Sequence, residues 1–191
     1  MAETENKVLF GLDNVHIAFS NGDGTWENPI HVPGAVELTL DPEGDQNIFY
    51  ADNIAYYTVN SNAGYTGELS MAKIPNSILA RILGWKVDKN GALIEVADGV
   101  PTTFALLYDV QGDIKPRHGI TYNITANRPS EDWATKEDST EVNPFVLPYT
   151  ATAVPMEGIG NVVRASIELG EDNAEAYNGF FKAVYQPVLG E

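Results

Sequence analysis

The sequence contains no cysteine in 191 residues. Disulfides and thiolate metal sites are therefore excluded. Basic residues are few: 11 Lys and Arg stand against 27 Asp and Glu, a formal net charge of −16. Such a surface repels nucleic acid and anionic membranes, which argues against a DNA-binding protein. No apolar run reaches about 18 residues, so no membrane helix is expected. The start, MAETENKVLF, has no basic stretch leading into an apolar one, so no secretory leader is expected. Histidine is also rare. His16, His31 and His118 lie far apart in different elements, and HExxH, GxSxG, GxGxxG and GxxxxGK[ST] are all absent. No catalytic, cofactor or metal site is expected.

What the chain does have is 43% hydrophobic and 10% aromatic residues, enough for one core. Most segments read as strands. KVLFGLDNVHIAF is apolar, with Leu9, Val15, Ile17 and Phe19 on one parity and Phe10 and Leu12 on the other. SNGDGTWENP is a turn, and AVELTL alternates. Residues 41–63 read as a long loop with at most a short pairing of its own. GYTGELSMAKI is a strand. PNSILARIL follows as a short helix: Ile78, Leu79, Ile82 and Leu83 form one apolar face, Asn76 is placed to cap it and Gly84 to stop it. DKNG turns a hairpin. TTFALLYDV alternates, and ITYNITA puts Ile120, Tyr122, Ile124 and Ala126 on one face. Residues 127–141 form a second polar loop. VNPFVLPYTATAV carries two prolines and reads as an edge or broken strand. VVRASIEL alternates, and DNAEAYNGFFKAVYQP reads as a second short helix with Asp172 and Glu175 as a capping box. Runs of strands joined by turns imply a mainly β, antiparallel sandwich or barrel with one or two short flanking helices.

Weaker signals have ordinary explanations. Lys115, Arg117 and His118 cluster in KPRHG, as a solvated turn would. DKNG resembles the start of a calcium loop, but Gly99 stands where its last carboxylate belongs. Glu43/Asp45 and Glu131/Asp132 are acidic pairs of a kind any acidic chain contains. Trp26, Trp85 and Trp133 read as core or edge aromatics.

The words ADNIAYY, GYTGEL, ILGW.VDKNG..IE, FALLYDVQGD, RHGITYN.TANRPS and FFKAVYQP occur in that order, spread over residues 51–187. In this the chain resembles the phage major tail protein, the tail tube protein of long non-contractile tailed phages and prophages of Gram-positive bacteria. The resemblance implies a single tail tube domain over 1–191, with an N-terminal arm at 1–7, a long loop at 41–63 and a C-terminal tail at 188–191. It implies a virion structural protein, assembled in the host cytoplasm. Its partners would be copies of itself in stacked hexameric rings, a tape-measure protein, and tail initiator and terminator proteins. DNA would pass through the lumen without specific binding, no membrane would be involved, and no enzyme activity is expected. On this reading Phe49, Tyr50, Tyr56 and Tyr57 are candidate contacts between rings. Ile78, Leu79, Ile82 and Leu83 would pack the helix on the outer face of the sheet. Glu37, Asp41, Glu43, Asp45, Glu68 and Asp109 are candidates for an acidic lumen. Two other readings remain open: a carbohydrate-binding β-sandwich module of a phage or cell-surface protein, and a glycosidase with its carboxylates in the loops.

Overall fold

A computed structural model describes residues 6–131, 135 and 143–190. Residues 1–5 of the expected arm, Asp132, Trp133 and Glu191 lie outside them. The described chain is mainly antiparallel β with two short helices. In order the elements are β1 (Leu9–Phe19), β2 (Ile30–His31), β3 (Ala35–Leu38), β4 (Asp41–Glu43), β5 (Gln46–Ala51), β6 (Ile54–Asn60) and β7 (Gly64–Met71). Next come α1 (Asn76–Leu83), β8 (Lys86–Val87), β9 (Leu93–Ile94), β10 (Phe104–Gly112), β11 (Arg117–Ala126) and β12 (Phe145–Ala151). β13 (Val154–Met156), β14 (Gly160–Val162), β15 (Arg164–Ile167) and α2 (Ala174–Gly179) complete the chain.

The main sheet runs β2-β1-β10-β11-β12-β7-β3. Its two ends are successive pieces of one segment. Residues 30–32 bond to β1, including Val32 N–H to Val15 C=O at 2.8 Å, and residues 34–38 bond to β7. The sheet thus closes on itself as a barrel, which leaves few raw edges. Inside it lie Val15, Ile17, Phe19, Leu69, Met71, Phe104, Leu106, Tyr108, Leu147 and Tyr149, all buried. The alternation of β7 and β10 follows directly from this inside-outside division.

Helix α1 forms because an apolar face recurs at helical spacing between a proline and a glycine. Its amides at Ile78 and Leu79 bond to the Pro75 carbonyl at 3.0 Å, and no side chain caps it, so Asn76 is the first helical residue rather than the cap. Gly84, with φ 69°, ends it; a Cβ there would stand 2.5 Å from the Val100 carbonyl oxygen. Ile78, Leu79, Ile82 and Leu83 are buried in the same cluster as the barrel interior. The helix therefore plugs the barrel end marked by Phe19, Phe104 and Met71, rather than covering an outer face. Arg81 tethers it to the β1–β2 connection, donating to Glu27 at 2.8 and 2.6 Å, with its guanidinium 3.9 Å from the Phe19 ring centre.

Left-handed residues redirect two strands. In β1, Gly11 (φ 73°) and Asn14 (φ 54°) sit in register shifts, so Leu12 faces the core and Leu9 and Phe10 are exposed. In β11, Asn123 (φ 44°) marks a shift between Phe104↔Ile124 and Leu106↔Thr121. Ile124 and Ala126 point into the barrel, whereas Ile120 and Tyr122 join a second cluster outside it. The single face expected for these four residues is split by that bulge.

The second cluster lies on the outer face of β1, β10 and β11. Ala18, Ala105, Leu107, Ile120 and Tyr122 are covered there by Met156, Phe180 and the partly buried Phe181, Val184 and Tyr185. Helix α2 starts after Asn173, whose side chain is spent on Gly170 N–H and Glu168 C=O, both at 2.7 Å; no capping box forms. β12 is a full strand paired with β7 over its whole length. Pro148 is tolerated because its carbonyl, and hence its nitrogen, faces away from β7, accepting from Asn127 N–H at 2.8 Å.

Candidate assembly surface

β4 pairs with β7, and beyond them the same two chain directions continue as β5 and β6. Between them the backbone passes close to its partner at Gly44, where a Cβ would stand 2.1 Å from the Ser61 carbonyl oxygen. Ser61 N–H to Asp45 C=O at 2.9 Å and Ala63 N–H to Glu43 C=O at 2.8 Å hold the root. The tip residues Asp52 (φ 52°) and Asn53 (φ 61°) adopt the two left-handed conformations of a type I′ turn, which matches strand twist. Residues 41–63 are thus a sheet strand and a hairpin arm, not a loop. The arm extends roughly 20 Å.

β5 pairs only with β6 among the described strands. Phe49, Tyr50, Tyr56 and Tyr57 are 63, 64, 68 and 64% exposed, and Ile48, Ile54 and Val59 are exposed beside them. Phe49 faces Tyr57 across one side of the ribbon. Ile48 and Tyr50 occupy the other side by strand alternation, and Tyr56 is the extra residue of a bulge. Both faces are apolar. Residues 46–60 hold one charged residue, Asp52, in a chain that is 20% charged. Aromatic enrichment with charge depletion is the composition of an interface core. A lone two-stranded hairpin is only marginally stable in water, so this arm gains much from being covered.

A second surface lies beside its root. Register places Glu37, Asp41, Glu43 and Glu68 on the outward side of β3, β4 and β7, opposite the side that carries Leu69 and Met71 inward. All four are exposed, and β3, β4, β7 and β12 contain no Lys or Arg. Thr66 Oγ1 donates to Glu43 at 2.9 Å. Asp109 does not belong to this face: it is buried on β10, where it accepts from His118 Nδ1–H and, at 2.9 Å, from Asn14 Nδ2–H.

Other candidate regions hold less. A cleft of about 650 Å³ beside α1 is lined by Ile74, Leu79, Leu93 and Phe145 with Glu131 as its carboxylate. A cleft of about 390 Å³ at the opposite barrel mouth is lined by Leu12, Leu38, Arg117 and Arg164, with no carboxylate. Asp88 is occupied by its own turn, accepting from Asn90 and Ala92 N–H at 2.8 Å, and these bonds hold its carboxyl below the ordinary range. Among the described residues no group of His, Asp and Glu is arranged to hold a metal, and no helix is long and apolar enough to cross a membrane. Asn6 fastens the end of the N-terminal arm to the β10–β11 connection, donating to Lys115 C=O at 2.8 Å, and Val188 and Leu189 of the tail are exposed.

No protein-family model matches the chain, and no curated protein matches it. Among solved structures it is similar to a chain of the anti-feeding prophage (AFP) baseplate, determined by electron cryo-microscopy with six-fold symmetrisation. The identity is 12% and the TM-score 0.48, over 86% of this chain and 97% of that one.

Proposed function

We propose that this protein is a non-catalytic, self-assembling structural subunit, the major subunit of a phage tail tube. The observation that carries the proposal is the hairpin arm of residues 46–60, with seven exposed large apolar side chains and one charge. In this reading Phe49, Tyr50, Tyr56 and Tyr57 insert against the neighbouring ring, which covers both faces of the arm. The acidic side of β3, β4 and β7 lines the channel, where its carboxylates repel phosphate and let DNA slide. Rings would be hexameric and would stack around a tape-measure protein, between initiator and terminator proteins, in the virion. A subunit of net charge −16 repels its copies, so salt favours assembly.

The test is negative-stain electron microscopy of concentrated protein across a salt series. Rings or hollow tubes are expected. A variant with residues 46–60 replaced by a short Gly-Ser turn should keep the melting transition of the barrel and form neither. Tubes of normal length from that variant would overturn the role of the arm. A wild-type protein that stays monomeric in all salts and binds glycans on an array would instead favour a carbohydrate-binding module.

A further inference from the structure

The hairpin arm and the larger of the two clefts stand at opposite ends of the barrel, joined by one strand. Gly64, the first residue of β7, pairs with Glu43 at the root of the arm. Met71, the last, leads straight into Lys73 and Ile74, which line the cleft of about 650 Å³ beside α1. The 8 extended residues of β7 hold root and cleft roughly 25 Å apart. β5 and β6 continue β4 and β7 past the root, away from the cleft, and among the described strands they pair only with each other. An arm of roughly 20 Å that leaves from the far end does not reach the cleft of its own subunit.

The two surfaces are nevertheless alike in chemistry. Buried Ile74 and Leu79, with half-buried Leu93 and Phe145, give the cleft its apolar lining. Val87, the register partner of Leu93, is exposed beside it. At the tip of the arm, Tyr50 and Ile54 are exposed on either side of the turn at Asp52 and Asn53. Asp52 is the one charge of residues 46–60. Lys73 on the cleft is exposed, and among the described residues no carboxylate lies within ion-pair distance of it. The cleft's own carboxylate is Glu131.

We propose that the tip of the arm, Tyr50 to Ile54, seats in the cleft beside α1 of a second copy of this chain, with Asp52 against Lys73 of that copy. The proposal rests on the tail tube reading and names the surface that receives the arm. The contact joins two different surfaces at opposite ends of the barrel, so it is heterologous and repeats without closing. Copies therefore add head to tail along the barrel, and the two ends of a stack differ: one presents arms and the other clefts. Tyr50 and Ile54 bury apolar area that the isolated subunit leaves in water, and the opposite charges fix which way the tip enters.

The test is site-directed cross-linking, which the absence of cysteine makes clean. Ile54→Cys with Asn76→Cys puts one thiol at the tip and one on the cleft. Treated with a short bifunctional maleimide at assembling salt, this protein should give a ladder on a denaturing gel that climbs past the size of one ring. Each single variant should stop at the dimer. Ile54→Cys with Phe10→Cys, whose second thiol lies at the opposite barrel mouth, should give no ladder. Lys73→Glu should raise the protein concentration needed for assembly about tenfold, and Asp52→Asn in the same chain should recover most of that loss. Normal tubes without a ladder from the first pair, a ladder from the mouth pair, or unchanged assembly of Lys73→Glu would overturn the proposal and leave the tail tube reading standing. Wild-type protein that forms neither rings nor tubes at any salt would overturn both.

Discussion

Ile82 is fully buried where α1 meets the barrel, and it shows what one side chain contributes. Truncating such a residue removes apolar contact and leaves a cavity, at a cost of about 2–5 kcal/mol. Ile82→Ala should therefore lower the melting temperature by roughly 5–15 °C in calorimetry. Leu79→Asp places an unpaired charge in the same cluster and should abolish soluble, folded subunit. Asn123 decides a different matter. Its left-handed φ of 44° is what lets β11 face the barrel at Ile124 and the outer cluster at Tyr122. A β-branched residue strongly disfavours that conformation, so Asn123→Val should cost about 1–3 kcal/mol, read as a shift in the denaturant midpoint. An unchanged midpoint would mean that the bulge can relocate.

Among the elements, the hairpin arm and α1 sit at opposite ends of the packing range. α1 has about two turns, too few to be stable alone. Burial of its four apolar side chains is worth on the order of 6–12 kcal/mol before entropy costs, which is why it persists. The arm buries almost nothing within the subunit, so its sequence is free to serve a contact elsewhere. Phe49→Ser with Tyr57→Ser removes the cross-strand aromatic pair from one side of the ribbon. That pair should leave the melting temperature within a few degrees of wild type, since exposed positions contribute little to folding. The same pair should raise the protein concentration needed for assembly by tenfold or more, since buried aromatic anchors carry most interface energy. Sedimentation velocity reads both the monomer fraction and its loss.

Charge organises the whole molecule. Four carboxylates share the outward side of β3, β4 and β7, where no Lys or Arg occurs in the strands. If that side lines a channel, Glu37→Lys with Glu68→Lys should turn a repelling wall into an attracting one. Assembled wild-type particles should leave double-stranded DNA unshifted in a gel at low salt, while the double variant should retard it. Retardation should fade steeply with salt, as counterion release requires. Equal behaviour of the two proteins would place this side away from the path of DNA.

Fold class, α1 and its stop at Gly84, and the strand pattern of β7 and β10 follow from the sequence alone, because hydrophobic period and turn residues act locally. The apolar, charge-poor character of residues 46–60 is legible there too, though not its hairpin pairing. Three decisions needed the tertiary structure. Closure of the barrel rests on one segment switching partners between β1 and β7, which no local pattern encodes. The shared side of Glu37, Asp41, Glu43 and Glu68, and the removal of Asp109 from it, depend on register across strands distant in sequence. His16 and His118 carry no spacing signal, and only the sheet and the segment after α2 bring them together around Phe181. Short-range chemistry determines elements, whereas long-range pairing determines which side chains share a surface.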